Sequence, residues 1–218
     1  MWCIAAITLQ YRTRMYDLLD LYGRKYNAQY PVVCVDEKSK QLLEDKRTII
    51  PMKPGSPEKF DGEYKRMGTQ NIFVAVEPLA GKRYIKVTDQ RKKVDFAHFI
   101  KELMPRYPKA KKIRLVADNL NTHFESSFYE TFDAPQAKML LEKIEFHYTP
   151  KHGSWLNMAE IEINMMDREC LNRRIGQKDI LKKEISSWAK QRNKEKKKIK
   201  WTFTKQKADK KLSKYYVA

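Results

Sequence analysis

Three acidic side chains stand in settings that suit metal-dependent phosphodiester chemistry. Asp36 and Asp118 each follow a run of apolar residues that predicts a buried strand, and Glu160 stands near the start of a helical pattern. Carboxylate oxygens are the ligands that Mg²⁺ prefers. A pair of such ions can activate an attacking oxygen and stabilise a leaving oxygen. We therefore predict that Asp36, Asp118 and Glu160 form one catalytic and metal-binding site for two Mg²⁺ ions, for which Mn²⁺ can substitute.

Each acid also has an ordinary structural interpretation. An Asp after a strand often caps a turn, and Asn157 followed by Glu160 resembles a capping box at a helix start. Side chains alternate along a strand, so only one of Asp36 and Glu37 faces a given side. Asp36 shares the parity of the apolar residues Val32 and Cys34 and is the preferred candidate. Glu162 is the alternative third ligand.

Polar residues surround two of the acids. The segment after Asp118 and the turn before the helix of Glu160 contain amide, imidazole, hydroxyl and ammonium groups. Such groups orient metal ligands or contact the DNA backbone. The positions assigned to these roles are Asn119, His123, Lys151, His152 and Asn157, with Asn121 and Ser154 beside them. The alternative for the first segment is a helix N-cap and a loop, with His123 exposed to solvent.

The chain carries a large excess of positive charge. It has 45 Lys and Arg against 27 Asp and Glu, a net charge of +18 over 218 residues, and a pI near 9.7. The mean hydropathy of −0.73 indicates a very polar surface, while 42% hydrophobic residues suffice for a core. This balance favours a polyanionic partner and, with the acids, indicates an enzyme that cuts or joins DNA. The alternative is a soluble protein that is merely basic.

The sequence lacks the signals that are typical of several other classes of protein. Cys3, Cys34 and Cys170 form no C-x-x-C pair, which disfavours a zinc or redox site and fits a reducing cytoplasm. No apolar run approaches the roughly 20 residues that span a bilayer, and the start lacks the leader of a signal peptide. A G-x-S-x-G nucleophile and a G-x-x-x-x-G-K phosphate loop are also missing from the sequence.

The C-terminal segment concentrates basic charge. Residues 192–214 hold eleven Lys or Arg and two acids, half of the chain's excess, with aromatic residues interleaved. One interpretation is an arm that contacts DNA phosphates and is anchored by aromatic side chains. The residues assigned to it are Lys196, Lys197, Lys198, Lys200 and Trp201. The alternative is a solvated tail whose aromatic residues dock back on the domain.

The order of predicted elements favours a mixed α/β fold. Hydrophobic periodicity predicts strands at 31–36, 71–77, 83–88, 113–118 and 145–148, and helices at 12–22, 94–104, 126–132, 134–142, 157–171 and 178–190. Residues 49–69 are rich in Pro and Gly and predict an irregular loop. An antiparallel hairpin followed by β-α-β crossovers is typical of a ribonuclease-H-like mixed sheet flanked by helices. The predicted divisions are a helical lead-in at 1–30, the catalytic domain at 31–190 and the basic C-terminal extension at 191–218.

Longer strings resemble a known family. VVCVDEKSKQLL, VADNLNTHF and FHYTPKHGSWLNMAEIEI resemble the catalytic half of DDE transposases of the bacterial insertion-sequence family "six-thirty", which is related to mariner transposons. FVAVEPLAGKRYIKVT, KKVDFAHFI, ECLNRRI and WTFTKQKADKKL extend the resemblance from about Trp2 to Tyr216. HGSWLNMAEIE is its most specific string.

The resemblance implies both a site and a reaction. By motif position, the Asp-Asp-Glu triad falls on Asp36, Asp118 and Glu160 in a ribonuclease-H-like fold. The implied reaction is metal-dependent cleavage at transposon ends, followed by attack of the freed hydroxyl on target DNA, usually at a TA step. The resemblance also implies a homodimer when active and a bacterial, cytoplasmic, nucleoid-associated protein.

Two departures from the family pattern keep alternatives open. Asp118 and Glu160 are separated by 41 residues, more than is usual in mariner-type sites, and the extra residues are expected in the helical region at 126–142. The helix-turn-helix region that reads transposon ends is expected to be missing and supplied by a separately encoded or frameshift-joined part. The alternatives to an active transposase domain are an inactive DNA-binding remnant and a nuclease of the same fold.

Overall fold

The computed structural model describes residues 6–59 and 61–217. Cys3, the beginning of the predicted lead-in and the last residue of the predicted extension lie outside these ranges. Within them, no helix combines the length and the apolar character needed to cross a bilayer.

A five-stranded mixed sheet forms the centre of the protein. Its strands are β1 (Val32–Asp45), β2 (Tyr64–Glu77), β3 (Lys82–Thr88), β4 (Ile113–Ala117) and β5 (Ile144–Tyr148). The spatial order is β3-β2-β1-β4-β5. β1 and β2 pair antiparallel, as do β2 and β3, whereas β4 runs parallel to both β1 and β5. The predicted hairpin and crossovers are therefore confirmed.

Helices cover both faces of this sheet. They are α1 (Leu9–Gly23), α2 (Lys93–Leu103), α3 (Ser126–Tyr129), α4 (Ala134–Leu141), α5 (Met158–Met166), α6 (Lys178–Lys194) and α7 (Lys205–Leu212). Phe96, Phe99 and Phe128 of α2 and α3 pack with Val33 and Val35 on one face. The other face carries one cluster built from α1, α5 and α7, and another built from α5 and α6. Alternate residues of β1 thus enter opposite cores, as a strand covered on both faces requires.

β1 is longer than the sequence analysis predicts. The expected strand ends at Asp36, but β1 continues to Asp45, and β2 already begins at Tyr64 inside the expected loop. The two strands pair from Cys34↔Val76 to Asp45↔Tyr64, with one irregularity in register. Polar side chains extend the ladder because the two backbones satisfy each other's hydrogen-bonding groups without needing a buried face. Asp36 therefore lies within a strand and not at its end.

The C-terminal segment packs on the domain. Trp201 contacts Tyr22 of α1 at a ring-centroid distance of 5.2 Å, and Phe203 lies 5.5 Å from Trp155 with the rings nearly perpendicular. Burying aromatic surface of this size stabilises the docked segment strongly. The interpretation in which the aromatic residues dock back on the domain therefore describes Trp201 and Phe203.

The basic part of this segment is fixed at the turn between β2 and β3. The Ile199 N–H donates to the Pro78 carbonyl at 3.0 Å. A Cβ at Gly81 would lie 2.5 Å from the Lys196 carbonyl oxygen, so only glycine permits this approach. The turn lies at the sheet edge where β1 and β4 begin, and the lysines beside it are exposed.

A buried ion cluster joins three elements. Glu162 of α5 accepts hydrogen bonds from Arg83 of β3 at 2.7 Å and from Arg192 of α6 at 2.6 Å. The side chains of Arg83 and Glu162 are fully buried. Arg83 also donates to the carbonyls of Gly81 and Lys197. The cluster therefore connects α5 to the start of the C-terminal segment.

Removing the charge of Glu162 is expected to destabilise the protein. Glu162→Gln should lower the free energy of unfolding by about 3–5 kcal/mol, because it leaves the buried Arg83 guanidinium uncompensated. Chemical denaturation measures this difference. The control is Glu184→Gln, which removes a surface partner of Arg173 and should cost less than about 1 kcal/mol. Equal small losses in both variants would contradict this role of Glu162.

Candidate active site

Strand register brings two of the predicted acids together. β1 and β4 run parallel with Cys34 opposite Val116, so the residues two positions further on, Asp36 and Asp118, lie at the same level. Both continue the face to which Cys34 and Val116 belong. Glu160 lies in the first turn of α5, which packs on β1 and β2 on that face. The three acids therefore share one side of one sheet edge.

Asp36 is the acid most strongly affected by its surroundings. Burial, together with the charges of Asp118, Glu37 and Glu160, raises the pKa of its carboxyl group to about 7 against the lowering effect of the Glu37 N–H. That N–H donates to Asp36 Oδ1 at 2.8 Å. The raised pKa thus reflects mainly the burial of the carboxyl group and, in addition, the negative charge of the acids near it.

Asn157 connects Asp36 with the helix that carries Glu160. The buried Asn157 amide donates to the Val35 carbonyl at 2.8 Å and approaches Asp36 Oδ2 at 3.4 Å. Its side-chain oxygen accepts the Ala159 N–H at 3.1 Å and so caps α5. One residue therefore sets the position of the helix and orients a carboxylate.

The capping-box interpretation of Glu160 is only half right. Asn157 is the N-cap, but its own N–H donates to the Ser154 carbonyl at 2.7 Å. The Glu160 side chain is therefore not needed to satisfy that N–H, as a capping box would require. The half-buried Glu160 borders a groove beside α5.

His123 bridges Asp118 to a second carboxylate. Its Nδ1 lies 2.6 Å from Asp118 Oδ1, and its Nε2 lies 2.9 Å from Glu37 Oε2. The side chains of His123 and Glu37 are only 1% and 3% exposed. Burial lowers the pKa of His123, but its hydrogen bonds to Asp118 and Glu37 outweigh this effect and raise the pKa to about 9. His123 is therefore charged at neutral pH and donates to both carboxylates.

Two expectations about this region are corrected. The alternative of a solvent-exposed His123 is wrong, because the ring is buried against Phe96 with the centroids 4.6 Å apart. Glu37 was assigned no role because alternation points it away from Asp36. Its side chain contacts His123, and sequence spacing does not reveal this contact.

Asn119 is held by a residue that the sequence analysis does not identify. Arg14 of α1 donates to the Asn119 side-chain oxygen, and the Asn119 amide donates to the Thr149 carbonyl. A guanidinium group thereby lies next to Asn119 in the groove that Glu160 borders. A single 3₁₀ turn, Asn121–His123, comes shortly after Asn119 in the chain.

The turn before α5 presents basic side chains. Lys151 and His152 are exposed, and His152 has a left-handed backbone with φ of 61°. His is among the residues that adopt this conformation more readily than most, yet it costs about 1–3 kcal/mol. A Cβ at Gly153 would lie 2.5 Å from the Pro150 side chain, so the turn is tightly closed. Lys151, His152 and Ser154 line the same groove as Glu160.

Glu162 is unsuited to be the third ligand. Both of its carboxylate oxygens accept hydrogen bonds from Arg83, and it is fully buried. Among the acids of α5, Glu160 is thus the one available to a metal ion.

The residues present suit a divalent cation by their chemistry. Asp36, Asp118 and Glu160 offer hard oxygen donors, and an ion would relieve the repulsion that raises the pKa of Asp36. Nevertheless, the described ranges contain no set of three His, Cys, Asp or Glu side chains already gathered into a metal-binding cluster.

Comparison with known families shows to which family the chain belongs. Residues 31–182 match the model of the DDE superfamily endonucleases. The chain belongs to this family. The matched segment contains Asp36, Asp118 and Glu160.

Solved structures of Mos1 mariner complexes share the fold. The Mos1 mariner paired-end complex with Mg has a TM-score of 0.61 at 16% identity, covering 100% of this chain and 66% of that chain. The Mos1 paired-end complex with Mn has a TM-score of 0.55 at 17% identity, and the match covers 86% of this chain and 56% of that chain. The Mos1 strand transfer complex has a TM-score of 0.55 at 17% identity, and the match covers 83% of this chain and 53% of that chain.

These comparisons confirm the predicted fold, a ribonuclease-H-like mixed sheet flanked by helices. The chain spans between about half and two thirds of the Mos1 chains it matches. A comparison with curated proteins gave no significant match.

The raised pKa of Asp36 predicts a pH-dependent stability in the absence of divalent ions. Folding favours the protonated carboxyl, so this stabilisation is present at low pH and is lost as the pH rises through about 7. At pH 8, Asp36→Asn should be more stable than the parent by roughly 2–4 kcal/mol, at about 1.4 kcal/mol per pKa unit. The gain should vanish near pH 4.

Chemical denaturation in EDTA at several pH values measures this difference. Asp179→Asn, at an exposed position, should show no such dependence. An Asp36→Asn variant that is no more stable than the parent at pH 8 would contradict the electrostatic description of the site.

The bridge through His123 predicts a positioning role for Glu37. Glu37→Gln should weaken apparent Mn²⁺ affinity by about 10–100-fold, as observed for groups that orient metal ligands. The measurement is the Mn²⁺ concentration that gives half of the maximal thermal stabilisation. Glu58→Gln, at an exposed position, is the control. Equal Mn²⁺ affinity in the parent and in Glu37→Gln would show that the bridge does not act on the metal site.

Proposed function

We propose that this protein is the catalytic domain of a transposase of the bacterial "six-thirty" insertion-sequence family. Its reaction would be metal-dependent strand cleavage at transposon ends and strand transfer into target DNA at TA sites. The observation that supports the proposal is the placement of Asp36, Asp118 and Glu160 on one side of one sheet edge, where burial and the charges of the neighbouring acids raise the pKa of Asp36. Membership of the DDE endonuclease family and the excess of basic residues support it.

Each site residue has a distinct proposed role. Asp36, Asp118 and Glu160 would hold two Mg²⁺ ions, or Mn²⁺ in their place. Bound ions of this kind activate the attacking oxygen and neutralise charge at the leaving oxygen. The hydrogen bonds of Asn157 to Asp36 and of His123 to Asp118 make these two residues positioning residues.

Polar groups next to the acids would bind the DNA backbone. Lys151 and His152 are exposed on the tight turn before α5, and Asn119 lies in the same groove. Cationic and amide donors fix the register of a duplex through its phosphates. The scissile phosphate would thereby be held against the carboxylates.

The assembly follows from the same proposal. The solved relatives are Mos1 paired-end and strand transfer complexes, with Mn or Mg. By analogy, this chain would act as a homodimer on paired transposon ends, near the nucleoid in the bacterial cytoplasm. A helix-turn-helix part, encoded separately or joined by frameshifting, would supply recognition of the ends.

The basic C-terminal segment is proposed as a second DNA contact. Lys196, Lys197, Lys198 and Lys200 are exposed, and Trp201 anchors the segment through its contact with Tyr22. Because the turn that fixes Lys196 lies at the sheet edge opposite Asp118, these lysines would contact DNA away from the cut phosphate. Their contribution would be electrostatic and independent of sequence.

Metal-dependent nicking of supercoiled plasmid tests the catalytic assignment. The parent should nick in Mg²⁺ or Mn²⁺, while Asp118→Asn and Glu160→Gln should each lose at least about a hundredfold in rate, because metal ions supply several kcal/mol of charge stabilisation. Asp179→Asn and Glu142→Gln, at exposed positions, should retain the parent's rate. Nicking that survives in the site variants would reject the triad. DNA binding without nicking in any divalent ion would indicate an inactive remnant.

Salt dependence of DNA binding tests the basic segment. Deleting the segment would expose the surface beneath Trp201, so neutralisation to Gln at positions 196, 197, 198 and 200 is the better change. The slope of log affinity against log salt should become shallower by about 1–4, since each phosphate contact contributes about 0.9. The control has the same charge change at Lys109, Lys111, Lys112 and Lys143, which are also exposed. If the slope changes equally in both variants, the effect comes from net charge alone, and the proposed contact between the basic segment and DNA is wrong.

A further inference from the structure

A groove opens beside the catalytic acids. It encloses about 1200 Å³ and is bordered by Glu160 and Asn119 at the acids, and by Tyr11, Arg14 and Trp155 further along. Sites for small molecules usually enclose roughly 300–1,000 Å³. The groove is therefore large for a small metabolite and has room for part of a polymer.

Trp155 gives this groove an aromatic surface. Its side chain is 42% exposed, an unusual amount for the largest apolar residue. Its indole N–H donates to the Tyr11 hydroxyl at 3.3 Å, and the edge-to-face contact with Phe203 holds the ring from the C-terminal segment. The ring is thus fixed in orientation while much of it remains open to a ligand.

Basic groups stand next to the exposed ring. Arg14 is held by Asn119 and also lies 3.5 Å from the Thr149 carbonyl. Lys151 and His152 project from the strained turn that precedes Trp155. Strained backbone of this kind persists mainly where function requires it. Cationic groups beside an open aromatic ring match a ligand that has both phosphates and flat bases.

We propose that this groove binds an unpaired segment of DNA, with one base stacked on Trp155 and the adjoining phosphates contacted by Arg14 and Lys151. The inference rests on the proposed function, because it takes the bound strand to be the one that continues from the cleavage point. A base inside a duplex has both faces covered by its neighbours, so a strand that continues through the groove offers a free face to the indole ring only where it is unpaired. Binding by stacking tolerates any base.

The inference defines the form of DNA that the site accepts. A strand whose phosphate lies at Glu160 enters the groove at once, since Glu160 forms part of its wall. The nucleotides next to the cut would therefore be separated from their complement when the strand is bound. Ends with a short unpaired segment should bind more tightly than fully paired ends.

Binding of labelled DNA in EDTA tests this without catalysis. The probes are a duplex with a short single-stranded overhang and a blunt duplex of the same paired sequence, followed by fluorescence anisotropy. The parent should prefer the overhang. Trp155→Ala should bind the overhang about 5- to 100-fold more weakly, the range for loss of one base–aromatic stack, and should bind blunt DNA as the parent does. Trp155→Phe should restore most of the preference.

The matched control is Tyr129→Ala, which removes another exposed aromatic residue outside the groove. It should leave both affinities unchanged. Equal affinity of the parent for the two probes, or a preference that survives in Trp155→Ala, would overturn the proposal. Since no cleavage is measured, a protein that fails to nick plasmid but shows the Trp155-dependent preference would refute the catalytic proposal alone.

Discussion

Mutual repulsion of carboxylates is the constraint around which this structure is built. Asp36, Asp118 and Glu160 share one side of a sheet edge, and Glu37 lies close to them, so that burial and like charge together raise the pKa of Asp36 to about 7. Such an arrangement costs folding free energy unless cations or hydrogen bonds offset it. Asn157 and His123 supply fixed hydrogen bonds, and a bound divalent cation would neutralise the remaining negative charge.

A fully buried acid on the helix of Glu160 has a different environment. Glu162 lies two residues from Glu160 on the same helix, yet it is fully neutralised by Arg83 and Arg192. The ion pairs of Glu162 stabilise the fold and connect α5 to the C-terminal segment. Glu160 has no such partner among the residues that the structure describes, and its charge is available for chemistry. Trading stability for an electrostatically strained site is common in enzymes, and the two glutamates show both outcomes within one turn of helix.

Sequence patterns predicted the sheet and the three acids because both depend on local signals. Apolar runs ending in Asp36 and Asp118 indicated strands, and the parallel pairing of β1 with β4 then placed the two acids at one level. Contacts between distant elements gave no such signal. The polar half of β1 forms a strand only because β2 pairs with it, and Arg14 reaches Asn119 from a helix that lies 105 residues earlier in the chain. His123 is buried against Phe96 and bonded to Glu37, contacts that alternation along β1 did not indicate.

The most direct test of the account is a crystal structure of the protein grown with Mn²⁺, with the ions located by anomalous scattering. The account predicts Mn²⁺ bound by carboxylate oxygens of Asp36, Asp118 and Glu160, with His123 still joining Asp118 to Glu37 and with Glu162 still paired to Arg83. Mn²⁺ bound elsewhere, or held at this edge without Asp36 or Glu160, would contradict the claim that these three carboxylates form one metal-dependent site.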